Sequence, residues 1–158
     1  MSITDVGPDP RIFNIEDATL ENDNYRAVAW TGQHLQVTLM SIPVGESIGL
    51  EAHPDTDQFL RLEGGRGKVV MGPSEDRLDI EQEVGDGSAV HVPAGTWHDI
   101  INIGDEPMRL YAIYAPSHHA AGILQATRAQ AEHDEESGQD EAPEWTAQPD
   151  ETHGDKHA

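Results

Sequence analysis

Two residues close together in the chain carry side chains that can hold a metal ion. Glu51 and His53 are two positions apart, so both side chains point to the same face if this segment is a strand. A carboxylate and an imidazole on one face can chelate a single divalent ion. Further along, His98 shares a strand face with Ile100 and Asn102, and a histidine that faces the inside of a barrel needs a partner. These residue types and spacings indicate metal-binding chemistry.

Two adjacent residues after Glu51 and His53 also carry a side-chain oxygen. Asp57 and Gln58 lie four and five positions after His53. Gln58 shares a face with two leucines, at positions 60 and 62, which suit a barrel interior, whereas the face of Asp57 carries two charged side chains. Because side chains alternate between the two faces of a strand, the pattern favours Gln58, with Asp57 as the alternative.

The elements that must position these residues are short apolar runs separated by Gly, Pro and Asp. One run, with Leu35, Val37 and Leu39 alternating with polar residues, is typical of a half-buried strand. Many short strands at this spacing predict an antiparallel sandwich or barrel. We therefore expect four segments: an extended N-terminal arm over 1–24, a β-barrel over 25–117, a C-terminal helix over 118–136 and a disordered acidic tail over 137–158.

The segment that contains the later histidine carries a longer motif. Residues 87–102 read G-SAVHV-P-A-G-TW-H-DII-N, with the spacing G-x5-P-x-G-x2-H-x3-N. This segment resembles the second signature of the cupin superfamily at every fixed position. Residues 45–65 resemble the first signature, G-x5-H-x-H-x3-4-E-x6-G, with Glu51 in place of its first histidine. The glycines of Gly65-Arg66-Gly67 match the end of that motif strand and set its register on Gln58.

The resemblance to cupins implies an all-β fold, a cupin jelly-roll β-barrel that holds one metal ion between its two motif strands. It implies a ligand set of Glu51, His53, Gln58 and His98, where cupins usually have three histidines and one glutamate. Two oxygens beside two imidazoles favour Mn²⁺ or Fe²⁺, whereas the intrinsic affinity order favours Zn²⁺ and Ni²⁺. The divalent ion is therefore expected to be Mn, Fe, Zn or Ni. The resemblance also implies a homodimer.

Composition and charge exclude several classes of partner. The chain has 158 residues with 30 acidic and nine basic side chains, and its formal net charge is −21. A field of this sign repels nucleic acid and anionic lipid, so neither is an expected partner. The excess of acidic residues also indicates a protein from a halophile. Without cysteines, and without an apolar run or basic start at the N-terminus, the chain is predicted to be cytoplasmic.

The other histidines and the arginines are assigned smaller roles. His34 is expected to face solvent or a subunit contact, His91 to be a structural or rim residue, and His118-His119 to lie in a solvated loop. An anionic ligand would need a cation to offset the acidic surroundings. The basic residues in the middle of the barrel sequence that could do so are Arg61, Arg66 and Arg109.

Two functions remain open from the sequence. The motif segments resemble small stand-alone cupins that are often labelled mannose-6-phosphate isomerase-like, a label that reflects the barrel and does not identify a reaction. The first hypothesis is a metal-dependent dioxygenase or isomerase that acts on a small polar molecule in the barrel pocket. The alternative is a non-catalytic small-ligand-binding or sensor protein.

Overall fold

Two antiparallel sheets dominate the computed structural model, which describes residues 3–148. The strands of this part of the chain are β1 (Arg26–Thr31), β2 (Gln36–Ile42), β3 (Asp57–Gly64), β4 (Gly67–Gly72), β5 (Ile80–Val84), β6 (Ala89–Val92), β7 (Trp97–Asn102), β8 (Met108–Ala115) and β9 (Leu124–Gln125), and the helices are α1 (Ile15–Glu21) and α2 (Arg128–Glu136). One sheet has the order β6-β3-β8-β2-β1-β9 and the other β5-β4-β7. Neither helix in the described range is long and apolar enough to cross a membrane.

The main apolar core lies between the two sheets. Leu60 and Leu110 from the six-stranded sheet belong to the same buried cluster as Val69 and Ile100 from the three-stranded sheet. Each such side chain stabilises the fold by roughly 1.5–3 kcal/mol when it is fully buried. The prediction of an all-β jelly-roll barrel is confirmed.

Strand β2 is buried on both faces, with its polar face toward the barrel interior. Val37 and Leu39 belong to a second apolar cluster, which lies on the opposite side of the sheet from the main core. Gln36 and Thr38 are fully buried on the inner side, in line with the core residue Met40. The alternation seen in the sequence is therefore real, but its apolar side faces outward and is covered by another segment.

That covering segment is the N-terminal region, which is not simply an extended arm. Residues 15–21 form α1, whose first turn is capped by Asn14: its side chain accepts a hydrogen bond from the backbone N–H of Asp17 at 2.9 Å. Ala18 on this helix packs in the outer cluster with Leu39 and Tyr111. The expectation of an extended arm over 1–24 thus needs correction. Residues 15–21 form a capped helix, because a helix can bury its apolar face against the sheet.

The predicted C-terminal helix over 118–136 is also shorter than expected. Its first part includes β9, which pairs with β1 through Arg26 and Gln125. The helix begins only after Thr127, whose side chain accepts a hydrogen bond from the backbone N–H of Gln130 at 3.2 Å. Pairing with β1 at the edge of the sheet gives backbone N–H and C=O groups of residues 124–125 hydrogen-bond partners. This segment is therefore a strand and not the start of the helix.

Residues 137–148 differ from the expectation of a disordered tail. Asp140 is hydrogen-bonded to the ring of the buried His119, with 2.8 Å between Oδ2 and Nδ1. The backbone N–H of Ala147 donates to the carbonyl of Gln33 at 2.7 Å, and Thr146 is buried. These contacts are local polar anchors that composition does not reveal. The rest of the predicted tail, residues 149–158, lies outside the described part of the chain.

The burial of His119 predicts a loss of stability in mild acid. Burial and the nearby charge of Arg26 lower the pKa of His119 to about 4, although Asp140 opposes the shift. The unfolded chain therefore binds this proton more readily between pH 6.5 and 4, and stability falls as the pH drops through that window. We expect the metal-free protein to lose about 2 kcal/mol between pH 7 and 5 from this residue, measured by urea unfolding in EDTA.

The control for this acid effect is His119→Gln, which cannot titrate. Its unfolding free energy should depend less steeply on pH than that of the wild type. His118, with a pKa lowered by burial and by the neighbouring histidines to about 3, keeps part of the slope in both proteins. Parallel pH curves for the two proteins would contradict the prediction.

Candidate metal centre

The two motif segments are joined by backbone hydrogen bonds that bring their side chains together. The N–H of Glu51 donates to the carbonyl of His98 at 3.1 Å, and the N–H of His98 donates back at 2.9 Å. The turn before β7 adds a third link, since the N–H of Gly95 donates to the carbonyl of His53 at 2.8 Å. Gly95 has φ +82°, a left-handed conformation that glycine adopts without steric cost.

Glu51, His53 and His98 form a cluster in which one ligand atom from each side chain lies within 4.8 Å of the others. The Oε1 atom of Glu51 is 3.2 Å from Nε2 of His53 and 3.8 Å from Nε2 of His98. The predicted convergence of these three residues is therefore observed. One carboxylate and two imidazoles at this separation form a possible site for a divalent ion.

The orientation of His98 suits a metal ligand. Its side chain is 1% exposed, and its Nδ1 lies 3.0 Å from the carbonyl of Thr96, which can only accept a hydrogen bond. Nδ1 must therefore carry the proton, so that Nε2 has a free lone pair. That Nε2 is buried and has no hydrogen-bond partner. A buried acceptor without a partner is costly, and a metal ion at this position would satisfy it.

Glu51 is held in its charged form. Burial by itself would raise the pKa of its carboxyl group, but the hydrogen bond with His53 and the charges of His53, His98 and Arg26 lower that pKa to about 2. Burial also lowers the pKa of His98, which favours the neutral imidazole. An ionised carboxylate beside a neutral imidazole is the protonation state that a divalent cation requires.

The two alternatives for the further oxygen ligand differ in their surroundings. Gln58 is 4% exposed, and its Oε1 is buried without a hydrogen-bond partner. It is paired across the sheet with the inward-facing Tyr114, whose ring centroid is 6.0 Å from that of His53. Asp57 is exposed, and its carboxylate accepts a hydrogen bond from the N–H of Ala94 at 2.9 Å. Asp57 therefore faces away from the site.

His118 lies beside the cluster, although the sequence predicts a solvated loop for it. Its ring centroid is 4.2 Å from that of His53, and its ring stacks on Tyr114. The backbone N–H groups of His118 and His119 both donate to Oε1 of Gln36, at 3.1 and 2.8 Å. The pair follows the end of β8, and β8 ends beside the start of β3, a strand pairing that the sequence alone does not reveal.

His34 and His91, two further histidines considered from the sequence, lie outside the cluster. His34 is exposed, as expected. His91 is also exposed and makes an edge contact with Phe59 at 5.1 Å between ring centroids, which agrees with a structural or rim role.

The arginines named from the sequence are not the cation nearest to the site. Arg61, Arg66 and Arg109 form ion pairs with Glu63, Glu83 and Asp23, respectively. Arg26 on β1 is instead buried, and its charge contributes to lowering the pKa of Glu51. Arg26 lies upstream of both motif segments, so its position in the sequence does not indicate this role.

The fold and the cluster together define a jelly-roll protein with a possible metal site at one end of its barrel. Residues 38–114 match the model of the cupin domain. The chain is 54% identical over 129 residues to the uncharacterized protein YrkC of Bacillus subtilis (strain 168). The aligned region covers 82% of this chain and 69% of YrkC. The chain belongs to the cupin family.

The chain is also similar to a further protein and to two solved structures. The uncharacterized protein L612 of Acanthamoeba polyphaga mimivirus is 38% identical over 121 residues, covering 76% of this chain and 74% of L612. The crystal structure of BH2720 from Bacillus halodurans is similar with a TM-score of 0.82 and 54% identity, covering 83% of this chain and 99% of that one. The protein TT1209 from Thermus thermophilus, at 20% identity and a TM-score of 0.58 over 68% and 98% of the two chains, shares the fold.

Proposed function

We propose that this cupin binds one divalent metal ion through Glu51, His53, Gln58 and His98 and acts as a metal-dependent enzyme on a small polar molecule. The observation that carries the proposal is the buried Nε2 of His98, which has no hydrogen-bond partner and lies 3.8 Å from the ionised carboxylate of Glu51. The unpartnered Oε1 of Gln58 supports the fourth position. Each of these atoms is an acceptor, so a cation satisfies them together.

The donor set bears on the identity of the ion. Two imidazoles, one carboxylate and one amide carry a net charge of −1, and two of the four donors are oxygens. Oxygen donors favour Mn²⁺ and Fe²⁺, while Zn²⁺ and Ni²⁺ are favoured by the general affinity order. We infer that Mn²⁺ or Fe²⁺ is the working ion.

The residues of the chain would prepare the site for catalysis. Such an ion, when bound, supplies Lewis-acid chemistry suited to an isomerase or redox chemistry suited to a dioxygenase. Glu51 keeps its negative charge because its pKa is low, so it serves as a ligand and not as a general base. The apolar core below the site, with Leu60 and Ile100, excludes water and strengthens electrostatic interactions with a substrate.

The experiment that tests this proposal measures metal content and turnover separately. Protein purified in molar salt, without added chelator, should contain about one Mn or Fe ion per chain by plasma mass spectrometry. Its melting temperature should fall when EDTA removes the ion, since a ligand at 100 times its Kd adds about 2.7 kcal/mol of stability. A metal-free protein whose melting temperature ignores EDTA would contradict metal binding.

Turnover distinguishes the enzyme from a ligand-binding protein. The metal-loaded protein is incubated with a small-molecule extract, and compounds that disappear are identified by mass spectrometry, with oxygen uptake recorded in parallel. Depletion of a polar compound supports the enzyme, and uptake of oxygen assigns the dioxygenase class. Retention of a compound on the metal-loaded protein without any conversion would contradict catalysis and support the non-catalytic alternative.

Substitutions at the two adjacent candidates test the fourth ligand. Gln58→Leu removes the amide oxygen at nearly constant volume and should weaken Mn²⁺ binding about tenfold, because a neutral oxygen ligand is lost. Asp57→Asn keeps the oxygen that accepts from Ala94 and should leave the affinity within about twofold of wild type. Calorimetric titration with Mn²⁺ measures both, and equal affinities for the two variants would show that Gln58 is not a ligand.

A further inference from the structure

A buried cation without an acidic partner lies beside the candidate metal centre. Arg26 is 7% exposed, and its Nη1 donates to the side-chain oxygen of Gln125 at 3.1 Å. Its Nε is buried and has no hydrogen-bond partner. Among the described residues, no carboxylate oxygen lies within 4.0 Å of a nitrogen of this guanidinium, so it forms no ion pair. The Cζ atom of Arg26 lies 5.3 Å from the centroid of the Tyr25 ring. Burial by itself would lower the pKa of Arg26, but the charges of Glu51 and Asp140 help to raise it from beyond ion-pair distance. A buried guanidinium without a carboxylate in direct contact is costly, which indicates that an anion completes it.

Arg26 lines a cavity of about 230 Å³ together with Glu51, one of the residues of the candidate centre. Helix α2 closes the other side with Arg128, Glu132 and Glu135. Arg128 is paired with Glu132 at 3.0 Å, and a divalent ion held by Glu51 would offset the remaining carboxylates. Arg26 is therefore the cation in this lining that is left to bind a ligand.

Other buried polar atoms also lack partners. Oγ1 of Thr38 and Nε2 of His119 have no hydrogen-bond partner, and Thr38 is on β2, the strand next to β1. Arg26 and Glu51 line the same cavity, so the guanidinium lies near the candidate centre. An interior with buried donors and acceptors that lack hydrogen-bond partners is suited to a polar ligand and not to a purely apolar one.

We propose that Arg26 forms an anion subsite for the proposed function: it binds one carboxylate of a small dicarboxylic acid, whose other end reaches the metal held by Glu51, His53 and His98. The planar guanidinium can donate two parallel hydrogen bonds to a carboxylate, and its Nε is one of the donors suited to such a pair. The contact between the far carboxylate and the metal rests on the proposed function, because only a bound ion attracts that carboxylate. The contact between the near carboxylate and the guanidinium depends on Arg26 alone.

The test compares dicarboxylates with their monoamides by calorimetric titration. Malonate, succinate and glutarate are each titrated into the Mn²⁺-loaded protein, beside malonamate, succinamate and glutaramate. At least one acid should bind ten times more tightly than its own amide, because the amide lacks the charge that Arg26 pairs. In Arg26→Met the ratio should fall to less than threefold, with Mn²⁺ affinity equal to or above that of wild type. Arg26→Lys keeps the charge without the planar fork and should give an intermediate ratio.

A matched control and a metal-free arm separate the two proposals. Arg109→Met removes an arginine that is paired with Asp23 outside the cavity, and it should keep the tenfold ratio. In metal-free Glu51→Gln the competing negative charge is gone and one carboxylate is enough for Arg26, so each monoamide should bind more tightly than its uncharged diamide. Failure of Mn²⁺ titration with the wild type would overturn the proposed function, while a preference for monoamide over diamide in metal-free Glu51→Gln would still support the subsite. Equal binding of monoamide and diamide in metal-free Glu51→Gln, or a preference that persists when Arg26→Met is added, would overturn the subsite.

Discussion

His98→Ala is expected to abolish metal binding, with a loss in Mn²⁺ affinity of about 100-fold or more. His98 supplies the most buried donor of the cluster, and its imidazole is already oriented by the carbonyl of Thr96. Substitution of a group that only orients a ligand costs about 10–100-fold, so loss of the ligand itself should cost at least as much. The ion content of the purified variant should approach zero, and EDTA should no longer shift its melting temperature.

The control for His98→Ala is a histidine of the same barrel end that lies outside the cluster. His91 is exposed and contacts Phe59, so His91→Ala should keep about one ion per chain. A second variant, His98→Gln, fills more of the space of the imidazole than alanine does. It therefore distinguishes loss of the metal ligand from misfolding caused by a cavity. If His98→Ala and His98→Gln both retained stoichiometric metal, the proposed centre would be wrong.

Gln36→Leu is expected to destabilise the protein by about 3 kcal/mol or more, the largest effect on folding predicted here. Its amide nitrogen donates to the hydroxyl of Thr31 at 3.0 Å and to the carbonyl of His119 at 2.8 Å. Its amide oxygen accepts from the N–H groups of His118 and His119. Leucine would leave these groups buried without partners, and each costs about 1–3 kcal/mol. Urea unfolding of the metal-free variant measures the loss.

This substitution also separates folding from metal binding. Without Gln36 the His118-His119 segment loses its anchor, but none of the proposed ligands is altered. Folded Gln36→Leu should therefore bind Mn²⁺ with an affinity within about threefold of wild type while unfolding at lower urea concentration. The control is Gln33→Leu, at an exposed position, which should change stability by less than about 0.5 kcal/mol. Equal midpoints for Gln36→Leu and wild type would contradict the anchoring role.

The sequence determined the β fold and most of the candidate centre. Residues 87–102 include the tight turn at Gly95 and strand β7 with His98, both of which are local features. The two-residue interval between Glu51 and His53 likewise places them on one side of the chain, and the alternation after Gln58 indicated its inward direction. Such short-range periodicities depend only on backbone geometry, so they can be recognised without knowledge of the partner strands.

Only the tertiary structure decided which polar residues join the centre from elsewhere. Arg26 and His118 are 25 residues before and 20 residues after the nearest proposed ligand, and nothing local to either one indicates that it faces the barrel interior. Strand β2 shows that an apolar face need not be the interior face, because Val37 and Leu39 face the N-terminal segment while Gln36 faces inward. Alternation tells which side chains share a face of a strand, but the packing of distant segments determines which face becomes the interior.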